Sequence, residues 1–280
     1  MNKTISSKIK NLILKKIEKS EGKIGICVLN SNSDIIFAYN EKKQFDTACS
    51  IMSFIMLEYF NQLTSKIISG EELVTYTEEN YATGSGVIKF LTYGKKIKAK
   101  DLVELMITIS DHIAANMLID FLKLENINKT IQNYKFLNTK LNHKFLIPKL
   151  KNMGVSTPYE LSLFYQKLDT NVFFNKIICS EMKKILLKQK YKDILSEKII
   201  ISNSKLYIDV ACKSGKADGR IYNPSVDSYI ADAGIFYTQL GNYNIAIMGE
   251  LSLKSKVSLN DLKSDMQDIS KLIYQGVIGD

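Results

Sequence analysis

The chain has 280 residues, 45% of them hydrophobic, with only 14 Gly and 3 Pro, enough for one large folded unit or two interleaved ones and against a disordered chain. The formal net charge is +9, but the lysines are spread along the sequence on the polar sides of amphipathic stretches, with no aromatic-interleaved basic motif. The excess therefore reads as a solvated surface, not as a nucleic-acid site. No run approaches the ~18 apolar residues that span a bilayer, so stable membrane insertion is not expected.

At the N-terminus, Ile5, Ile9, Leu12, Ile13 and Ile17 recur at helical spacing and predict an amphipathic helix packed on a sheet. Lys8, Lys10, Lys15 and Lys16 interrupt the apolar residues, so the stretch does not read as a signal peptide. GKIGICVLN and DIIFAYN, joined by Ser31-Asn32-Ser33, predict a β-hairpin. From residue 46 to residue 190 the pattern is helical: SFIMLEYFNQL, KAKDLVELMITIS, HIAANMLIDFL and YELSLFYQKL, the last with Thr157 as its cap and Pro158 as its first residue. Strand signals return in LYIDVACKSG, SYIADAGIFYT and NYNIAIMGEL, the last two joined by a turn at Gln239-Leu240-Gly241, and a closing helix runs from Leu259 to Tyr274. This order predicts an α/β (α+β) fold in which a five-stranded antiparallel sheet, flanked by N- and C-terminal helices, carries an inserted all-helical lobe. The expected division is a sheet lobe of residues 1–45 and 191–280 and a helical lobe of residues 46–190, with the active site in the cleft between them.

Cys27, Cys49, Cys179 and Cys212 are irregularly spaced, with no C-x-x-C and no His-Cys zinc pattern, so neither a metal nor another cofactor is predicted. With no export signal, free thiols in a reducing cytoplasm are expected.

Ser110-Asp111-His112 falls between LMITIS and IAANMLIDFL. It resembles the Ser-Asp-Asn element of serine β-lactamases and penicillin-binding proteins, with histidine in the asparagine place. The other two elements of that group, Ser-x-x-Lys and Lys-Thr-Gly, have altered counterparts in Cys49-Ser50-Ile51-Met52 and Lys213-Ser214-Gly215. The segment GSGVIKFLTYGKKIKAKDLVELMITISDHIAANMLIDFL resembles the family's stretch in register, and VACKSGKADG with DAGIFYT resembles its Lys-Thr-Gly strand and hairpin partner. Over nearly its full length the chain is similar to the class A β-lactamase-like branch of the penicillin-recognising fold.

The resemblance implies a covalent nucleophile at the start of the helix FIMLEYF. Two alignments are open: Ser50, with Ser53 in the lysine place, or Cys49, with Met52 in the lysine place. Chemistry favours Cys49, because a serine needs a strong local base that both alignments lack, whereas a thiol of pKa ~8.5 is already partly ionised and a neighbouring cation lowers it further. His112, in the cleft-facing place of the Ser-Asp-Asn turn, would supply that neighbour, making a thiolate–imidazole pair. The alternative is that His112 merely caps a helix and Cys49 is a small buried hydrophobe. Ser110 and Lys213 would pass protons and hold an anionic or carbonyl group, and Asp111 would fix the loop through backbone hydrogen bonds. Ser50, Ser214, Gly215, Asp218 and Arg220 are the substrate-binding candidates. The amides of Cys49 and of a residue near Asp218 would form an oxyanion hole, and Arg220 would bind a carboxylate or face solvent.

Class A β-lactamases carry a water-activating glutamate on the loop before their Ser-Thr-Pro-like motif. Here that loop, NTKLNHKFLIPKLKNMGVSTP, has no Asp or Glu, and His143 is its only candidate base. Hydrolysis should therefore be poor, while a thioester acyl-enzyme would remain open to amines. The expected activity is a cysteine acyltransferase or amidase acting on a small acyl, peptidyl or amide substrate in a biosynthetic pathway. The positive charge makes an acidic carrier protein a candidate partner. The alternatives are a serine or cysteine hydrolase (a peptidase, a glutaminase-like amidase or a weak β-lactamase) and a non-catalytic ligand-binding pseudoenzyme.

Overall fold

The computed structural model describes residues 5–146, 152–192, 194–202, 209–219 and 227–278. Helix α1 (Ser7–Lys19) starts where the Ser6 hydroxyl accepts the Ile9 N–H, and it buries the predicted stripe Ile9, Ile13 and Ile17. Strands β1 (Lys23–Asn30) and β2 (Ile35–Tyr39) form the predicted hairpin. There follow β3 (Phe45–Asp46), a 3₁₀ turn at Ala48–Ile51, α2 (Met52–Thr64), β4 (Leu73–Thr75), β5 (Lys96–Lys98), α3 (Ala99–Thr108), α4 (His112–Leu122), α5 (Leu124–Asn133), β6 (Lys140–Leu141) and β7 (Gly154–Ser156). The chain continues with α6 (Pro158–Asp169), α7 (Lys176–Leu187), α8 (Glu197–Ser202), β8 (Asp209–Ala217), β9 (Ser228–Tyr237), β10 (Tyr243–Leu251) and α9 (Leu259–Ile278).

The main sheet is five-stranded, in the order β2-β1-β10-β9-β8, with every neighbouring pair antiparallel, as the sequence predicts. Both faces are covered, so its inner strands read as nearly continuous apolar runs and not as clean alternation. On one face Ile24, Ile26, Val28, Ile245 and Ile247 join the apolar sides of α1 and α9. On the other, the small side chains Ala211, Ala231, Ala233 and Ala246 belong to the core of the helices and leave room for α6 to lie close on β1, β9 and β10. Helix α2 is apolar nearly all round and buried from Met52 to Phe60, the signature of a helix at the centre of a helical core.

Thr157 caps α6 by accepting the Glu160 N–H, with Pro158 in the first turn, as predicted. The strand predicted from Leu206 begins at Asp209 among the described residues, and the closing helix extends beyond Tyr274 to Ile278. Helix α8 has no counterpart in the sequence expectations: KIII is a β-branched apolar run too short to show a helical period. Among the described residues no helix is long and apolar enough to cross a membrane.

Candidate active site

Cys49 sits in the 3₁₀ turn that leads into α2, immediately after Ala48, whose φ of 45° is a left-handed conformation costly for a residue with a Cβ. The sulfur therefore lies at the N-terminal end of a helical segment, where unpaired N–H groups favour a negative charge. Only 8% of Cys49 is exposed. Consecutive residues of a turn point in different directions, and Ser50 is directed away: its hydroxyl donates to the Thr47 carbonyl at 2.7 Å. Ser53 lies 3.0 Å from the Tyr165 hydroxyl. Neither Ser50 nor Ser53 is among the residues that line the cavity at Cys49. Met52 is fully buried in the helical core and offers no base.

His112 is the first residue of α4, and Asp111 is its cap. The Asp111 carboxylate accepts the N–H groups of Ile113 and Ala114, each at 3.0 Å, and reaches across to those of Val87 at 2.6 Å and Ile88 at 3.0 Å. It is spent on backbone, as expected. This anchor pins the Gly84-Ser85-Gly86 loop to α4; at Gly86, with φ of 115°, an added Cβ would lie 2.3 Å from the Asp111 carboxyl carbon, so only glycine fits. The same loop orients the histidine. His112 Nδ1 lies 3.1 Å from the Thr83 carbonyl oxygen, which can only accept, so Nδ1 carries a proton and Nε2 faces Cys49 Sγ at 3.3 Å.

Charge distribution follows from this geometry. Burial alone would push the Cys49 thiol up, but the His112 charge and hydrogen bond, assisted by Lys213, hold it below the ordinary thiol value. Burial likewise depresses His112, and the charge and hydrogen bond of Cys49, with the Thr83 carbonyl, reverse this and hold the imidazole above its ordinary value. Both shifts favour a thiolate–imidazolium pair. By contrast, burial pushes the Cys27 thiol up to about 12 and also raises Cys179.

From the opposite side, edge strand β8 contributes Lys213, Ser214 and Gly215. Lys213 is fully buried, and its Nζ donates to Ser110 Oγ at 2.6 Å and to the Ser214 carbonyl at 2.7 Å. Burial lowers its pKa, partly offset by the charges of Cys49, Asp232 and Cys212. Ser110, at φ of 53°, is a second left-handed non-glycine residue at the site. The Ser214 hydroxyl donates to the Tyr191 carbonyl at 2.6 Å. A Cβ on Gly215 would lie 2.2 Å from the Cys49 amide nitrogen, so the missing side chain is what lets β8 approach the Cys49 turn.

These groups border a cavity of about 490 Å³, within the range of small-molecule sites. Cys49, His112, Ser110, Ser214, Gly215 and Asp218 all line it, with Lys213 buried behind Ser110. Asp218 also accepts the Ser228 hydroxyl at 2.9 Å. Arg220 lies outside the described residues. Gly84, Ser85, Tyr191, Ile194, Lys216, Leu259 and Asn260 also border the cavity; Gly84, Ser85 and Lys216 lie in the motif-bearing segments, and no side-chain pattern announces the rest. From the loop without carboxylates, Phe145 packs its ring 5.2 Å from the His112 ring, held by the Asn116 side chain, which accepts the Phe145 N–H and donates to its carbonyl. His143 instead lines a separate surface groove beside Asp120. The nearest acid in sequence, Glu160, is buried and bonded to Asn138 and Thr139. No group of three or more metal-ligating side chains occurs among the described residues.

A β-lactamase from Sphaerobacter thermophilus is 20% identical, with 97% of this chain and 98% of that chain covered and a TM-score of 0.81. A class A β-lactamase representative from Bacteroides cellulosilyticus is 19% identical over the full length of both chains, at a TM-score of 0.81. A PBP-A mutant, solved as its acyl-enzyme complex with penicillin G, is 19% identical over 97% of both chains, at a TM-score of 0.82. At these identities the likeness establishes the penicillin-recognising fold. The family model described as the β-lactamase enzyme family matches residues 4–277, and the chain belongs to that family.

Proposed function

We propose that this protein is a cysteine acyltransferase in which Cys49 forms a thioester with a small acyl or peptidyl group and passes it to an amine. The observation that carries the proposal is the Cys49 Sγ to His112 Nε2 contact of 3.3 Å, with the far ring nitrogen held by the Thr83 carbonyl. An oriented imidazole beside a thiol is the arrangement that activates cysteine nucleophiles on unrelated folds.

In the first half-reaction the thiolate attacks the donor carbonyl carbon and a C–S bond forms. The bond from that carbon to the leaving group then breaks, and the leaving group departs with the electron pair and a proton from the His112 imidazolium. Ser110, backed by Lys213, is in place to hydrogen-bond the departing atom. In the second half-reaction the amine nitrogen attacks the thioester, its proton passes to His112, a C–N bond forms and the thiolate is released. For the oxyanion we assign the Cys49 amide and that of Lys216. The Ser214 carbonyl accepts the Lys213 ammonium off the free edge of β8, so Ser214 and Lys216, two residues on, direct their N–H groups the same way. The sequence expectation is a second donor near Asp218; Lys216 is assigned because it follows Gly215, where a Cβ would lie 2.2 Å from the Cys49 nitrogen.

The proposal includes the two-lobe division expected from the sequence, residues 1–45 with 191–280 and residues 46–190, with the cavity at their junction. An acidic carrier presenting the acyl group suits the net charge of +9, and free thiols suit a reducing cytoplasm. Transfer is favoured over hydrolysis because Phe145, not a carboxylate, packs against His112. The experiment is to load the protein with an activated ester, locate the acyl mass, and follow its loss with and without added amine. The expected result is a lasting adduct on Cys49 that amines discharge. Rapid amine-independent loss, or brisk turnover of a chromogenic cephalosporin, would return the protein to the hydrolases, and no adduct at all would favour a ligand-binding pseudoenzyme.

A further inference from the structure

The cavity does not end at the reactive groups. Ile194 and Leu259 also line it, yet they are only 2% and 5% exposed and belong to the apolar cluster on the opposite face of the sheet, with α1 and α9. The lining therefore joins Cys49 and the free edge of β8 to side chains anchored in the second core. Along this path the Ser214 hydroxyl is already committed to the Tyr191 carbonyl. Asn260, next to Leu259, adds one neutral hydrogen-bonding group. The charged side chains of the described lining other than His112 are Lys216 and Asp218, on β8 and just beyond it. Among the described residues Ile194 and Leu259 give the lining an apolar stretch, which rewards burial of hydrocarbon and penalises a charge.

Resting on the acyl-enzyme reading of Cys49, we infer that the acyl group is a short, neutral aliphatic chain, lying along the edge of β8 with its end against Ile194 and Leu259. The chain is part of the donor and stays on sulfur while the leaving group departs, so its recognition acts on the acylation step.

The test uses the whole protein and straight-chain p-nitrophenyl esters from acetyl to octanoyl, with Cys49 acylation followed by nitrophenolate release and intact mass. Each rate is divided by that of the same ester with glutathione. The expected series rises by about two- to fourfold per methylene over the first few carbons and then levels off. Leu259→Phe, which fills the end of the cavity, should move the levelling point to shorter chains. A flat series on a Cys49 that does acylate would overturn the chain assignment and leave the nucleophile standing, as would a levelling point that Leu259→Phe leaves unmoved. Should Leu259→Phe fail to fold, the series on the unaltered protein decides. Failure of every ester to acylate Cys49 would overturn the nucleophile, and this inference with it.

Discussion

Cys49 and His112 shift one another in opposite directions, and this coupling has a pH consequence. Because the thiol lies below its ordinary value, its nucleophilic form is gained as pH rises through that depressed pKa. The imidazole lies above its ordinary value, so its proton, needed by the leaving group, is lost only as pH rises through that elevated pKa. Ester acylation should therefore be bell-shaped, with its plateau between the two, and His112→Asn should abolish the alkaline limb and move the acid limb to higher pH. A pH–rate profile that keeps both limbs in the variant would exclude His112 as the acid. Much of the residue scale was legible in the sequence: the register of FIMLEYF pointed to Cys49, and Ser110-Asp111-His112 pointed to its partner. The Thr83 carbonyl that orients the ring was not, because a backbone oxygen leaves no mark in the side-chain sequence. Phe145 was hidden for a similar reason, since a phenylalanine in a loop reads as core until its neighbour is known.

Elements hold these groups in place more than they supply chemistry. Asp111 accepts backbone N–H groups from Val87, Ile88, Ile113 and Ala114 and so ties the Gly84–Gly86 loop to α4. Asp111→Ala would strand buried donors and remove a helix cap; a loss of about 2–4 kcal/mol is expected, measurable by denaturant unfolding. It should also slow Cys49 alkylation, since the released loop no longer presents the Thr83 carbonyl. Unchanged stability would show that the loop is held by other means. Gly215→Ala should act from the other side: its Cβ would fall 2.2 Å from the Cys49 nitrogen, so β8 must withdraw, with a stability cost of about 1–3 kcal/mol and slower acylation. Undiminished acylation in that variant would mean that β8 does not need to meet the Cys49 turn. The five sheet strands and helices α1, α2, α3, α4, α6 and α9 were legible because their apolar periods are long, whereas α5 and α7 were covered only by the general helical pattern of residues 46–190. The short β4–β5 pair and β6–β7 were not, since strands of two or three residues carry no period.

Across the whole molecule, the cavity draws on segments far apart in sequence: the turn before α2, the loop before α4, edge strand β8 and the start of α9. Motifs reveal the first three, because each keeps a recognisable spacing. The part played by Ile194 and Leu259 is invisible in sequence, since both read as core residues until the lining of the cavity is known. This assembly makes one of four free cysteines a nucleophile; Cys49 lines the cavity and is 8% exposed whereas the other three are 0% exposed, so it is the His112→Asn comparison that separates activation from access. The most direct test is competitive alkylation of the native protein by iodoacetamide near pH 7, with each cysteine quantified by mass spectrometry in the unaltered chain and in His112→Asn. Cys49 should react far ahead of Cys27, Cys179 and Cys212, and His112→Asn should slow it at least about tenfold, the equivalent of one pKa unit. Labelling of Cys49 no faster than the other three, or unchanged in the variant, would contradict its assignment as the nucleophile.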